Sequence, residues 1–221
     1  MCIETESLIP LQRQFSAKNI ILANGDFPFT QSLLEILKTA EYIICCDGAA
    51  EKLIDFGRIP DAVVGDLDSI CEKYRNKLKE QIHFIAEQDT NDLNKAFNFA
   101  IKNNLDEITI LAATGKREDH TLGNIFLLSY FYNFLPKTRI ISDYGSFYCI
   151  SGAVKFSVKP NQAVSIFALE KDTEIKSRGL VWKLDGINFP NLYCATLNRV
   201  EENCKEIYLE SSQKILVYLA D

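Results

Sequence analysis

Residues 42–48 read Tyr42-Ile43-Ile44-Cys45-Cys46-Asp47-Gly48, an uninterrupted apolar run that ends in an acidic residue and a glycine. Similar short apolar runs recur on both sides of it, at residues 20–23, 62–64, 82–86, 108–112 and 139–141. Runs without polar alternation are typical of strands buried on both faces, and the intervening segments are long enough for crossover helices. The pattern predicts an α/β domain over residues 1–143 with a mostly parallel, Rossmann-like sheet.

The period of the apolar residues changes to two after residue 143. Val154-Lys155-Phe156-Ser157-Val158 and Val164-Ser165-Ile166 alternate, and turn signals follow at Lys159-Pro160-Asn161 and Asp185-Gly186. Alternation bounded by turn residues is typical of half-buried antiparallel strands. A smaller all-β sandwich domain is therefore expected over residues 144–221.

Two helix starts are marked in the first domain. Ser69-Ile70-Cys71-Glu72 has the spacing of a capping box, in which Ser69 would cap a helix. Thr90 precedes apolar residues at helical spacing, which places Lys95 near the start of the next helix.

The composition excludes several classes of protein. The chain has 221 residues, with 24 Lys and Arg against 30 Asp and Glu, and a formal net charge of −6. Bulk nucleic-acid binding needs clustered basic residues, so it is not expected. The longest apolar stretch, residues 122–135, is interrupted by polar residues and is too short to cross a bilayer. With an acidic N-terminus and seven cysteines in no metal-binding or disulfide pattern, the protein is expected in the cytoplasm.

Acidic segments follow the apolar runs. They are residues 24–26, 47–48, 65–69, 87–92 and 114–120. The carboxyl ends of parallel strands meet at one edge of a sheet, which is where ligands bind in such folds. Carboxylates brought together there repel one another unless a cation neutralises them. A Mg²⁺ ion held by these carboxylates and bridging to a polyphosphate would neutralise their charge. Nucleotide chemistry is therefore the hypothesis.

The pair Asp66 and Asp68 favours metal binding, because capping would use one carboxylate and leave the other repelling it. For a single Asp26, Asp47 or Asp89, a helix cap or turn role is an equal alternative.

Other residues also have two interpretations. Asp119 and His120 form either a proton-transfer pair or, more often at a helix start, a structural or phosphate contact. Lys116 and Arg117 are predicted to contact phosphate, on the basis of their position in the loop alone. Trp182, the sole tryptophan, is either a core residue or a ligand-stacking surface.

Several of these segments together resemble the thiamine pyrophosphokinase family over nearly the whole chain. The matching elements are Gly65-Asp66-Leu67-Asp68-Ser69, then Gln88-Asp89-Thr90-Asn91-Asp92 with Lys95, then Arg117-Glu118-Asp119-His120 with Asn124. In the C-terminal part, Gly179-Leu180-Val181-Trp182 and Ala195-Thr196-Leu197-Asn198 are similar by pattern. The chain departs from the family pattern at Ala49, Glu87, Lys116 and Leu197.

The resemblance implies transfer of the β,γ-pyrophosphoryl group of ATP to thiamine, with release of AMP and a requirement for Mg²⁺. It also implies a homodimer, with the thiamine site between subunits. Under it, the metal ligands are Asp66, Asp68 and Asp89, and the catalytic set also contains Asp92 and Lys95. The nucleotide and phosphate site would be lined by Asp47, Arg117, Asp119, His120 and Asn124. Thiamine would contact Trp182, Thr196 and Asn198.

Other activities remain open at this point. One is a pyrophosphokinase for another small alcohol such as a pterin, and a second is a Mg²⁺-dependent phosphohydrolase that uses water. A third is a sensing module that binds nucleotide or thiamine without turnover, which the dense carboxylate edge disfavours.

Overall fold

The computed structural model describes residues 7–9, 17–187, 189, 191 and 193–221. The chain divides into two compact units. The first, Ser16–Asp143, is called the α/β unit. The second, called the β unit, contains Tyr144–Asp221 together with the N-terminal segment that carries strand β1 (Ser7–Ile9).

The α/β unit alternates strands with helices. Its strands are β2 (Asn19–Leu22), β3 (Tyr42–Cys46), β4 (Ala62–Gly65), β5 (Ile82–Phe84), β6 (Ile108–Leu111) and β7 (Arg139–Ser142). Its helices are α1 (Gln31–Thr39), α2 (Ala49–Asp55), α3 (Glu72–Lys77), α4 (Asp92–Lys102) and α5 (Glu118–Phe131). Each apolar run predicted as a strand is one, and within this unit all the described strand pairs are parallel.

The strand order in this unit is β7-β6-β2-β3-β4-β5. Every residue of β2, β4 and β6 is buried, which explains why these strands have no polar alternation. Because the strands are parallel, the segments after β2, β3, β4 and β6 emerge at the same edge. That edge carries the acidic segments found in the sequence.

The two predicted helix starts differ in outcome. Helix α4 begins at Asp92, and Asn91 caps it by accepting a hydrogen bond from the backbone N–H of Asn94 at 3.0 Å. The capping box predicted at Ser69 is wrong, because α3 begins only at Glu72 with Cys71 at the cap position. The Ser69 hydroxyl instead donates to Asp68 Oδ1 at 2.8 Å, and its backbone N–H donates to Asp47 Oδ2 at 3.0 Å. These two carboxylates hold Ser69 outside the helix.

Helices α4 and α5 pack together through aromatic side chains. Phe97 and Phe131 are both fully buried, and their rings stack with centroids 3.8 Å apart at an interplanar angle of 17°. This contact fixes the position of α4 relative to α5, and the first turns of both helices face the carboxyl edge of the sheet.

The β unit is built on two long strands. Its strands after β1 are β8 (Gly145–Ser157), β9 (Ala163–Ala168), β10 (Ile175–Arg178), β11 (Ala195–Arg199) and β12 (Glu206–Ala220). β12 pairs antiparallel with β8, β9 and β10, and β9 pairs antiparallel with β11. Buried residues alternate along these strands, as Val154 and Phe156 do in β8. The predicted all-β character is therefore observed, while the sandwich remains a prediction.

Residues 7–9 were expected in the first domain, and this part of the expectation is corrected. β1 pairs in parallel with β8, with Leu8 opposite Lys155 and Ile9 opposite Phe156. The physical reason is that residues 154–156 of β8 offer backbone hydrogen-bonding groups that a further strand can satisfy. Ile9 packs against the core of the β unit.

Within the described residues, no helix is both long enough and apolar enough to cross a membrane.

Candidate active site

Three carboxylates converge at the carboxyl ends of β3 and β4. Asp47 follows β3, and Asp66 and Asp68 follow β4; one oxygen atom of each lies within 4.8 Å of the others. Gly65 makes this approach possible, because a Cβ there would lie 3.1 Å from Asp47 Cβ and 3.4 Å from Asp92 Oδ1. We call Asp47, Asp66 and Asp68 the acidic trio.

Asp47 is the buried member of the acidic trio, with 2% of its surface exposed. Its Oδ2 accepts a hydrogen bond from the Ser69 backbone N–H, but its buried Oδ1 has no hydrogen-bond partner within the described part of the chain. Burial raises the pKa of Asp47 to about 6. A buried carboxylate oxygen without a partner, next to two further carboxylates, fits a cation ligand.

The other two members are held by a tight turn. Leu67, between them, adopts a left-handed φ of 64°. Asp66 Oδ2 accepts from Gln88 Nε2 at 2.9 Å, and its Oδ1 accepts from the Asp68 backbone N–H at 3.3 Å. The hydrogen bond from Gln88 holds the pKa of Asp66 below its ordinary value, so this group is ionised at neutral pH. Oxygen-only ligands of this kind suit Mg²⁺.

A buried lysine lies next to the acidic trio. Lys95, in the first turn of α4, is 4% exposed, and its Nζ lies 3.3 Å from Asp92 Oδ1. Burial raises the pKa of Asp92, and its hydrogen bond with Lys95 opposes that rise. An ammonium has three N–H donors. One carboxylate cannot saturate them, so Lys95 can donate to a further anion.

The loop after β6 and the start of α5 carry basic groups. The Arg117 guanidinium forms an exposed ion pair with Asp119, with Nη2 2.6 Å from Oδ2 and Nε 3.1 Å from Oδ1. This hydrogen bond with Arg117 lowers the pKa of Asp119. The His120 backbone N–H also donates to Asp119 Oδ1 at 2.9 Å. Asp119 therefore orients Arg117, and its oxygen atoms are already engaged.

Two asparagines connect α4 to α5. Asn91 Nδ2 donates to Asn124 Oδ1 at 3.1 Å, and Asn124 Nδ2 donates to the Ala113 carbonyl at 2.9 Å. These two side chains therefore link the cap of α4 to α5 and to the loop after β6, at the rim of the site.

Part of this set lines a cleft of about 430 Å³ within the α/β unit, whereas Asp47, Asp68 and Asp119 are not among its lining residues. Of the predicted site residues, those lining it are Asp66, Asp92, Lys95, Arg117, His120 and Asn124. Carboxylates and cations thus face one volume, as binding of a metal polyphosphate requires. Asp89 is exposed in the loop after β5 and lies outside the acidic trio, so its role as a metal ligand stays a prediction.

The residues predicted to contact thiamine lie in the β unit. Trp182 is 55% exposed, which favours a surface available for stacking over a core position. Asn198 is buried and holds the tryptophan backbone from both sides: Trp182 N–H donates to Asn198 Oδ1 at 3.2 Å, and Asn198 Nδ2 donates to the Trp182 carbonyl at 2.7 Å. The Arg199 guanidinium lies 6.0 Å from the Trp182 ring centroid, and Thr196 Oγ1 donates to the Tyr193 carbonyl at 3.0 Å.

Three functional positions were missed from the sequence. Gln88 and Asn91 lie inside a matching motif, yet their hydrogen bonds with Asp66 and Asn124 depend on the fold. Lys52 in α2 donates to the Gly25 carbonyl at 2.7 Å, and no pattern in the sequence points to it.

Comparison with known proteins gives matches to both units. The family model described as "Thiamin pyrophosphokinase, catalytic domain" matches residues 33–141. A second family model, described as "Thiamin pyrophosphokinase, substrate-binding domain", matches residues 145–218. A thiamine pyrophosphokinase of Bacillus subtilis is 41% identical over 86 residues, which span 37% of this chain and only 40% of that relative. Thiamine pyrophosphokinase 1 of Oryza sativa is 27% identical over an alignment of 236 residues, with 91% of this chain and 87% of the relative covered.

Solved structures show the same fold. A thiamin pyrophosphokinase from Candida albicans superposes with a TM-score of 0.80 at 18% identity, over 97% of this chain and 92% of that one. A thiamine pyrophosphokinase from Bacillus subtilis superposes with a TM-score of 0.76 at 23% identity, over 92% and 99%.

Proposed function

The chain belongs to the thiamine pyrophosphokinase family, and we propose that it transfers the β,γ-pyrophosphoryl group of ATP to the hydroxyethyl oxygen of thiamine, releasing AMP. Family membership confirms the resemblance drawn from the sequence and the class of enzyme that it implied. In our proposal the α/β unit holds ATP and the metal. Residues 144–221 form a β-sandwich that binds thiamine and takes part in the dimer, and α5 adds a further dimer contact.

One observation carries the proposal: a buried lysine and a trio of carboxylates face the same edge. Lys95 is nearly inaccessible, and the carboxylate described beside its ammonium is that of Asp92. A cation buried in this way is stabilised when an anion enters the cleft that it lines. The polyphosphate of ATP supplies that anion.

The acidic trio fits Mg²⁺ because it offers hard oxygen ligands, one of them a buried oxygen without a partner. When bound there, the metal supplies positive charge that neutralises the polyphosphate and polarises the bond to be broken. Asp47, Asp66 and Asp68 would hold it, with Asp89 as a further proposed ligand from the loop after β5. Gln88 keeps Asp66 oriented.

Lys95 and Arg117 would offset charge on the transferred and leaving groups. Asp92 and Asp119 are the two candidates for the base that accepts the alcohol proton, and the contacts favour Asp92. Asp92 lines the cleft, whereas the oxygen atoms of Asp119 are bound by Arg117 and by the His120 backbone N–H.

Thiamine recognition is assigned to the exposed face of Trp182. Thiamine carries a cationic thiazolium ring, and an indole face attracts such a cation. Asn198 is given a positioning role, since its amide groups hold the backbone of Trp182. Thr196 is the nearby hydroxyl that we propose as a polar contact.

A homodimer is supported by an exposed apolar row on α5. Leu122, Phe126 and Tyr130 are spaced by four residues, so they lie on one face of the helix, and all three are exposed. Contiguous exposed apolar side chains of this kind mark an interaction surface. We propose a second copy of the chain as the partner.

The cytoplasm remains the predicted location of the protein.

AMP release from ATP and Mg²⁺, with and without thiamine, tests the function. Asp68→Asn keeps the size of the side chain and removes one carboxylate of the acidic trio. Asp172→Asn is the matched control, because Asp172 is exposed in the β unit and asparagine tolerates its left-handed φ of 60°.

We expect AMP release that depends on thiamine, is lost in Asp68→Asn and is retained in Asp172→Asn. Equal AMP or ADP formation without thiamine would indicate another acceptor or hydrolysis. ATP binding without turnover would favour the sensing module.

A further inference from the structure

Two lysines converge on one short loop that follows β2 at the edge of the cleft. Lys116 Nζ donates to the carbonyl and the side-chain oxygen of Asn24, at 2.6 Å and 3.0 Å. Lys52 Nζ donates to the next carbonyl, that of Gly25, at 2.7 Å. We call Lys52, Lys116 and residues 24–25 the lysine-bound loop.

The lysine-bound loop is rigid because it is packed against the loop after β6. The Gly25 backbone N–H donates to the Ala112 carbonyl at 2.7 Å, and Asp26 N–H donates to the Thr114 carbonyl at 2.9 Å. A Cβ on Gly25 would lie 2.2 Å from the Thr114 carbonyl oxygen, so only glycine fits there. The carbonyls that the lysines contact are thus fixed in place.

The arrangement concentrates positive charge. Desolvation by burial, followed by the adjacent Lys116 ammonium, lowers the pKa of Lys52 to about 8, while Asp26 acts in the opposite direction. Two ammonium groups brought together repel each other, and a bound anion would relieve that repulsion. Of the two, Lys116 lines the cleft. Its ammonium has three N–H donors and uses two of them on Asn24, which leaves one for an oxygen in the cleft.

The position of this loop relative to the acidic trio gives the anion a place in the reaction. Strands β6, β2, β3 and β4 are consecutive in the sheet. Lys116 follows β6, residues 24–25 follow β2, and the acidic trio follows β3 and β4. The Lys116 ammonium nevertheless rests on Asn24, after β2, and β2 pairs with β3. A Cβ on Gly48, the residue after Asp47, would lie 3.0 Å from Asn24 Nδ2, so the lysine-bound loop adjoins the acidic trio. An ATP molecule laid along this edge would have its pyrophosphoryl group at the trio and the adjoining phosphate at the lysines.

We infer that Lys116 binds the phosphate that stays with AMP, and that Lys52 is a positioning residue which holds the loop beneath it. This inference rests on the proposed function, and it orients ATP along the edge of the sheet. The transferred pyrophosphoryl group lies over the acidic trio and Lys95. The AMP moiety leaves from the side of β2 and β6.

Binding of the two halves of ATP tests the inference without turnover. The probes are AMP without metal, for the basic side, and inorganic pyrophosphate with Mg²⁺, for the acidic side. Lys116→Gly removes the ammonium and suits the left-handed φ of 58° at this position. Lys116→Arg tests rescue by a retained charge, and Lys79→Gly is the control, since Lys79 is an exposed turn residue of the same unit.

We expect Lys116→Gly to weaken AMP binding about tenfold, the effect of one hydrogen bond to a charged group. Mg²⁺-pyrophosphate binding should change less than about twofold, Lys116→Arg should recover most of the AMP affinity, and Lys79→Gly should match the parent protein. For Lys52→Gln we expect a smaller effect of the same kind: AMP binding should weaken roughly threefold, with little change in Mg²⁺-pyrophosphate binding.

An unchanged AMP affinity in Lys116→Gly would overturn the inference, as would equal weakening of both probes or no AMP binding by the parent protein. Failure of the proposed function is a separate result. If AMP release did not depend on thiamine while Lys116→Gly still lost AMP selectively, the acceptor would be wrong and the orientation of the nucleotide would stand.

Discussion

Lys95 is the residue whose environment most directly predicts a loss of activity. Its ammonium is buried beside Asp92 and lines the cleft. Lys95→Met keeps the length of the side chain but removes the donor to the transferred phosphates, so we expect kcat to fall about 100-fold or more. Lys95→Arg, which keeps the charge, should retain more activity than Lys95→Met. Equal activity of Lys95→Met and the parent protein would remove Lys95 from the mechanism.

Cysteine reactivity gives a prediction for pH dependence at the residue scale. Burial raises the pKa of the Cys149 thiol to about 12, whereas Cys194 is exposed. Since the thiolate is the reactive form and its population grows only as the pH approaches the pKa, Cys149 should stay unmodified by iodoacetamide from pH 7 to 9. Cys194 should be modified in the same samples.

Peptide mapping by mass spectrometry measures both sites. Unfolding in denaturant is the control, because it should make Cys149 react as fast as Cys194. Fast modification of Cys149 in the native protein would contradict its burial.

Among the elements, the contact between α4 and α5 carries a stability prediction. Phe97 and Phe131 are fully buried and stacked. Phe97→Ala should lower the free energy of unfolding by about 3–5 kcal/mol, because it removes buried apolar surface and leaves a cavity. Phe97→Leu should cost less than Phe97→Ala. Denaturant titration measures both, and a loss below about 1 kcal/mol in Phe97→Ala would contradict the tight packing.

The types of element were predictable, but their ends were not always so. Alternating and continuous apolar runs are local signals, and the strands β3 and β4 start where those runs start. Ser69 shows the limit of local signals. It has the spacing of a capping box, yet Asp47, distant in sequence, accepts its backbone N–H and holds it in the site. The placement of β1 beside β8 is another long-range pairing that no local pattern indicates.

For the whole molecule, metal removal should change stability as well as activity. The acidic trio gathers like charges that Mg²⁺ would neutralise. A ligand at 100 times its Kd stabilises the folded state by about 2.7 kcal/mol, so saturating Mg²⁺ should raise the Tm and EDTA should lower it. The shift should be much smaller in Asp68→Asn and preserved in Asp172→Asn. An equal Mg²⁺ shift in Asp68→Asn would argue against the trio as the metal site.

The association state is the second prediction for the whole molecule. Phe126, in the exposed row on α5, should be covered in the proposed homodimer. Phe126→Glu would place a charge in that interface, and sedimentation velocity should then show a dissociation constant at least about tenfold higher. Gln31→Glu is the charge control, because Gln31 is exposed in α1 and lies outside this row. A parent protein that remains monomeric at high concentration would contradict the dimer.

The alternation of strands and helices, the acidic edge and the family could all be inferred from the sequence, because apolar periodicity and the spacing of motif residues are properties of the chain. Which charged groups meet depends on the three-dimensional fold, which joins Asp47 to Asp66 and Asp68, buries Lys95 beside Asp92, and brings Lys52 and Lys116 to one loop. These groupings depend on parallel strand pairing, which places residues far apart in sequence at one edge of a sheet. Spacing along a chain cannot specify that distance in space.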